Sequence, residues 1–185
     1  MTKIKKRYIG DNEFKGMVHS IGSMLTPVTS SWRPDYIVGI TRGGLYPALL
    51  LSHYLGIPMH TLNVSLRDNN TGPESNLWMA EDAFGYHRVD DLPGASNPAL
   101  RKNILIVDDI NDTGSTFNWI VEDWQSSCLP DDLAWNDIWS NNVRFAAVID
   151  NQASDSRYKM NYHGRTINKS IKDEWIVFPW EKDFK

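Results

Sequence analysis

The chain has 185 residues, 41% hydrophobic and 23% charged, with a mean hydropathy of −0.43, which suits one globular domain with its own core. A net charge of −4 and a pI near 5.7 argue against nucleic acid as a partner, because nucleic-acid-binding proteins usually carry a basic surplus. No stretch nears the roughly 18 apolar residues of a membrane span; the basic opening MTKIKKRYIG has no apolar run behind it to make a secretory leader; and the single cysteine, Cys128, excludes an internal disulfide and suits a reducing cytoplasm.

Phe14, Met17, Val18, Ile21, Met24 and Leu25 recur at helical spacing and predict an amphipathic helix over 12–25, ended before Pro27. Tyr36 to Ile40 is a short apolar run and reads as a buried strand. Gly43 and Gly44 break it, and Pro47 to Leu55 follows as a helix with proline in its first turn and Gly56 as its cap. Ile57 to Leu66 is a second strand candidate. Residues 67–102 are polar, rich in Asn, Gly, Pro and Asp, and show little periodicity. A connection that long inside a compact domain is expected to be functional or mobile.

Asn103 to Val107 is a continuous apolar run of the fully buried parallel kind. A polar loop, Asp108 to Ser115, leads to a helix over Thr116 to Gln125. Residues 126–142 read as an irregular insertion with about one helical turn, Val143 to Ile149 as another buried strand, and 150–170 as polar connection. Ile176 to Phe178 is a last apolar run, closed by Pro179. The eight tryptophans are read as core and interface residues, with Trp175 set apart below. Strand–helix alternation of this kind predicts a single α/β domain over 1–185 with a mostly parallel sheet. Right-handed crossovers then gather the loops that follow the strands on one edge, where ligands bind.

The segment Ile104-Leu105-Ile106-Val107-Asp108-Asp109-Ile110-Asn111-Asp112-Thr113-Gly114-Ser115-Thr116 carries the chemistry. A buried strand delivers two adjacent carboxylates to the edge of the sheet. Thr-Gly-Ser-Thr at a helix start then offers backbone N–H groups, hydroxyls and the helix dipole to a monophosphate. Acids beside a phosphate cradle suit a sugar phosphate whose hydroxyls need acceptors and whose second anionic group arrives with Mg²⁺. The segment resembles the motif that binds phosphoribosyl pyrophosphate (PRPP) in type I phosphoribosyltransferases. Thr41-Arg42-Gly43-Gly44, after the first buried strand, resembles the pyrophosphate loop of that family. Trp175-Ile176-Val177-Phe178-Pro179-Trp180-Glu181 is similar to the hood segment of its xanthine-guanine, 6-oxopurine branch.

The resemblance implies a type I phosphoribosyltransferase fold: a mostly parallel twisted sheet flanked by helices, with a core at about 30–150, a small C-terminal hood at about 151–185, and a mobile loop and insertion within 67–102 based on Ser65, Leu66 and Arg67. It implies transfer of a 5-phosphoribosyl group from PRPP to a nucleobase, with Mg²⁺ as cofactor and a homodimer or homotetramer as the assembly. Asp108 and Asp109 would hold the ribose hydroxyls and the metal. Asp112, Thr113, Gly114, Ser115 and Thr116 would hold the 5-phosphate, and Arg42, Gly43 and Gly44 the pyrophosphate. Trp175 would stack on the base and Ile176 contact its edge, Glu181 would lie near the metal, and Asp112 would face N7 of a purine as the catalytic acid–base.

The family places an O6-reading lysine where this chain has Asn151; an amide can donate to a carbonyl or accept from an amine. Lys159, Lys169 and Lys172 are the lysines that could replace it from the polar connection. Two competing readings remain. One is a PRPP-binding regulator on the same fold without useful catalysis, against which the retained Asp112 argues. The other is a phosphotransfer domain, which would call for a P-loop lysine beside Thr-Gly-Ser-Thr; none is there.

Overall fold

The computed structural model describes residues 5–64, 76–88 and 94–184. Its centre is the run foreseen as a buried parallel strand. Residues Ile104 to Val107 are all without solvent exposure, and successive side chains point to opposite faces. Ile104 and Ile106 face one apolar cluster, Leu105 and Val107 the other. A strand buried on both faces needs helices on both, and the chain supplies them.

The first cluster is built with α3 (Leu77–Phe84), α4 (Ser115–Ser127) and α5 (Trp135–Ile138). Trp124, Trp135 and Trp139 lie there, between 0% and 4% exposed, as core residues. The second cluster is built with α1 (Asp11–Met24) and α2 (Leu45–Leu55). Between them lie β2 (Tyr36–Thr41), β3 (Met59–Asn63), β6 (Ile104–Asn111), β7 (Val143–Asn151) and β8 (Tyr162–Ile167), in the order β3-β2-β6-β7-β8 and parallel throughout.

Several expected boundaries move. The polar connection 67–102 contains α3, with Met79, Ala80, Ala83 and Phe84 buried, and a small antiparallel ladder of β4 (Tyr86–His87) and β5 (Ala95–Ser96). Two turns of helix among Asn, Gly and Pro leave too few repeats for a period to show. Ser65, Leu66 and Arg67, with 68–75 and 89–93, lie outside the described residues, so the expected mobile loop and insertion are described only over 76–88 and 94–102. The polar stretch 150–170 contains β8, an edge strand of mixed burial. The central sheet therefore extends past residue 150.

Strand β6 also runs on through Asp108 and Asp109 to Asn111, because β7 continues beside it as far as Asn111↔Asp150. The hood is a separate two-stranded parallel sheet. The N-terminal β1 (Lys5–Tyr8), unforeseen in a segment reading KKRY, pairs with β9 (Glu174–Val177) so that Lys6 lies opposite Trp175 and Arg7 opposite Ile176. Phe14, Tyr46, Phe178 and Trp180 pack ring against ring at 5.0–6.2 Å and seat this hood on α1 and α2.

Candidate active site

Parallel strands deliver their carboxyl ends to one edge, and there a cleft of about 1000 Å³ opens. Arg42, Gly43, Asp108, Asp109, Asp112 to Thr116, Trp175, Ile176 and Glu181 all line it. Gly44 lies beneath, at the start of α2. The Thr41–Arg42 peptide is cis, and the loop that follows it passes beside Asp109. A Cβ on Gly43 would stand 2.2 Å from Asp109 Oδ2, so glycine lets this loop lie against that carboxylate without pushing it aside.

Asp108 is buried, and its Oδ1 accepts the backbone N–H of Asp109 at 2.9 Å. Burial, and then the charge of Asp109, raise the Asp108 carboxyl well above the ordinary carboxylate range. Burial, with the charge of Glu181 adding to it, pushes Asp109 up to about 7. Glu181 is held by the turn after β9, where its Oε2 accepts the Phe178 N–H at 3.0 Å. Adjacent carboxylates, one buried and one half-buried, whose charge is disfavoured fit a divalent cation, whose charge would reverse that balance. Among the described residues no group of three or more His, Cys, Asp or Glu side chains forms a metal cage. Magnesium is commonly held by one or two carboxylates together with substrate oxygens, and Asp109 with Glu181 fits that pattern.

Beyond the acids the chain turns sharply into α4. Gly114 has φ +88° and begins the helix; a Cβ there would meet the Ser156 backbone nitrogen at 2.4 Å. Thr113 Oγ1 and Ser115 Oγ share a hydrogen bond of 2.9 Å, and the Asp155 N–H donates to the Thr113 carbonyl at 3.0 Å. The first N–H groups of a 13-residue helix thus open onto the cleft beside two hydroxyls, a place where an anion is stabilised.

Asp112 and Trp175 mark the flank away from Gly43. The indole of Trp175 is 42% exposed at the cleft wall. Asp112 meets a residue that the sequence offered only as one of three lysines: Lys169 Nζ lies 2.8 Å from both carboxylate oxygens. Asn151 is outside the wall of the large cleft and borders a smaller adjoining one of about 490 Å³. Its amide is engaged with backbone, donating to the Asp112 carbonyl at 2.8 Å and accepting from the N–H groups of Lys169 at 3.0 Å and Ala153 at 3.2 Å. Thr41 and Asn63, absent from the expected site, also border the cleft and are joined at 3.0 Å. Nothing in the pattern of β3 signalled Asn63, since side chains at a strand's end cannot be aimed from sequence.

Comparison with known proteins identifies the family and the fold. The model of the phosphoribosyl transferase domain matches residues 18–183. Xanthine phosphoribosyltransferase 1 of Saccharomyces cerevisiae is 25% identical over 204 residues, covering 99% of this chain and 93% of its own. The xanthine-guanine phosphoribosyltransferase of Cereibacter sphaeroides is 28% identical over 156 residues, covering 84% of this chain and 72% of its own. The crystal structure of the purine phosphoribosyltransferase from Pyrococcus horikoshii superimposes with a TM-score of 0.60 at 24% identity, over 97% of this chain and 95% of that one, and so shares the fold. With a family model spanning residues 18–183 and a parallel sheet that carries the Asp108 to Thr116 segment at its carboxyl edge, the chain belongs to the phosphoribosyltransferase family.

Proposed function

We propose that the protein transfers the 5-phosphoribosyl group of PRPP to a 6-oxopurine (hypoxanthine, guanine or xanthine), with Mg²⁺ as cofactor, in cytoplasmic purine salvage and as a homodimer or homotetramer. The observation that carries this reading is the order of groups in one cleft. The Arg42–Gly43 loop lies against Asp109, the helix-start cradle follows Asp112, and Trp175 with Asp112 and Lys169 makes the far flank. The relatives named for xanthine or xanthine and guanine support a purine. No described helix is long and apolar enough to cross a membrane.

In this reading Thr113 to Thr116 hold the 5-phosphate, Asp108 and Asp109 accept from the ribose hydroxyls, and Arg42 binds the pyrophosphate through charge-assisted hydrogen bonds. Asp109 and Glu181 would hold Mg²⁺, whose chemistry when bound is to supply positive charge that stabilises the leaving pyrophosphate. Stacked on Trp175, the base attacks C1 of the ribose through N9. The bond from C1 to the pyrophosphate oxygen breaks with its electron pair on that oxygen, and the proton on N7 passes to Asp112. Covering the cleft keeps water from the oxocarbenium-like sugar.

Replacing Asp112 with Asn tests the assignment. Turnover is expected to fall about 10²- to 10⁴-fold, while PRPP still raises the melting temperature of the variant as it does that of the parent. Unchanged turnover would remove Asp112 from the chemistry.

A further inference from the structure

Lys169 stands in the turn between β8 and β9, a turn closed on Asn168. The Asn168 carbonyl accepts from the N–H groups of Ile171 and Lys172, and its Oδ1 accepts from Ser170. The side chain of Lys169 is 17% exposed and reaches across to Asp112, with Nζ 6.0 Å from the centre of the Trp175 ring. Lys172 is engaged elsewhere, on Glu174 at 3.1 Å. Asn151 completes a closed ring of contacts. Its Nδ2 holds the Asp112 carbonyl and its Oδ1 holds the Lys169 N–H, so one buried amide ties the two loops whose side chains form the ion pair.

The pair places a cation and a carboxylate side by side, 2.8 Å apart, beside an exposed aromatic ring. An ammonium has three N–H donors and no acceptor, so Lys169 can stay on Asp112 and still donate once more. A flat base stacked on Trp175 is therefore met by an acceptor next to a donor. A 6-oxopurine carrying its proton on N7 presents the complement: an N–H donor beside a carbonyl acceptor. A 6-aminopurine presents two donors, and its amino group would face the ammonium.

We propose that Lys169 is the specificity-determining residue of the base site, donating to the carbonyl at position 6, and that Asn151 is the residue that positions it. This rests on the purine transfer proposed above. It reassigns the polar role expected of Asn151 itself: the amide aims the lysine, and the lysine reads the base. Discrimination follows from polarity, because a site built to donate to a carbonyl leaves its donor facing a donor when the wrong base enters.

The test compares hypoxanthine with adenine in steady-state kinetics of the parent, Lys169→Met and Asn151→Ala. Loss of the ammonium is expected to raise KM for hypoxanthine about ten- to a hundredfold, the value of a hydrogen bond to a charged donor. The ratio of kcat/KM for hypoxanthine over adenine should fall by a similar factor. KM for PRPP should stay within about twofold of the parent, marking an intact phosphate site, since a contact confined to the base leaves the other substrate's binding unchanged. Asn151→Ala should shift the same two quantities in the same direction. A hypoxanthine KM and base ratio unchanged in Lys169→Met would overturn the proposal. If that variant does not fold, Lys169→Gln replaces it under the same criteria.

Should the parent release no pyrophosphate with any purine, the transfer reading fails independently. Calorimetry with inosine monophosphate and adenosine monophosphate then decides Lys169. A preference for the oxo nucleotide that is lost in Lys169→Met supports its role, and one retained overturns it.

Discussion

Gly114 shows how much of this site rests on single residues. It adopts φ +88° where the strand edge becomes helix α4, and the Ser156 backbone closes the space a side chain would need. Alanine there would adopt a sparsely populated backbone conformation and collide with main chain at once. Each such strain costs about 1–3 kcal/mol. Gly114→Ala is therefore expected to lower the melting temperature and to weaken the stabilisation given by PRPP, both read by thermal denaturation with and without the ligand. A variant as stable as the parent and equally responsive to PRPP would mean the turn is looser than the geometry describes.

Gly114 was legible in the sequence, as were Asp108, Asp109 and the hydroxyls after it, because a contiguous motif carries its own geometry. Lys169 was not. It lies 57 residues beyond Asp112, and only the β8–β9 turn and the Asn151 amide bring the two together. Asn151 was read as a departure from the family's lysine, and its backbone partners depend on a turn no local pattern specifies.

At the scale of elements, long apolar strands and amphipathic helices were visible in advance, whereas short or polar ones were not. β1 is an instance: KKRY has no apolar alternation, and its strand exists because β9 supplies a parallel partner. Part of what fastens it is ionic. Glu13 on α1 pairs with Arg165 on β8 and with Arg7 on β1, the latter at 3.2 Å, joining the hood sheet, a helix and the central sheet at one carboxylate. The hydrogen bond from Arg165, more than any other contact, lowers the Glu13 pKa below its ordinary 4.5.

A depressed folded-state pKa stabilises the fold above the unfolded value, and that gain is lost as pH falls through the folded one. Glu13→Gln should thus lower stability at neutral pH, by about 1 kcal/mol at most, because the carboxylate is partly in water. The gap between parent and variant should close as pH falls below 4.5. Melting curves at pH 7 and pH 3 check this, and a constant gap would assign the loss to packing instead of charge.

For the whole molecule, the division of labour follows from the parallel sheet. Two helical layers bury both faces of β6, and the rigid strand then ends in acids at the one edge where every crossover loop opens. The acids and the Thr113 to Ser115 turn lie at the edge of that sheet. The Trp175 wall belongs to the hood, held by the first and last strands of the chain together.

The central claim is base-dependent transfer from PRPP, and the direct measurement is pyrophosphate release from PRPP and Mg²⁺ against hypoxanthine, guanine, xanthine, adenine, uracil and orotate. The account predicts release with one or more of the three 6-oxopurines and little with adenine, uracil or orotate. Thermal stabilisation by PRPP without release on any of the six would contradict it, and would favour a PRPP-binding protein that does not turn over these bases.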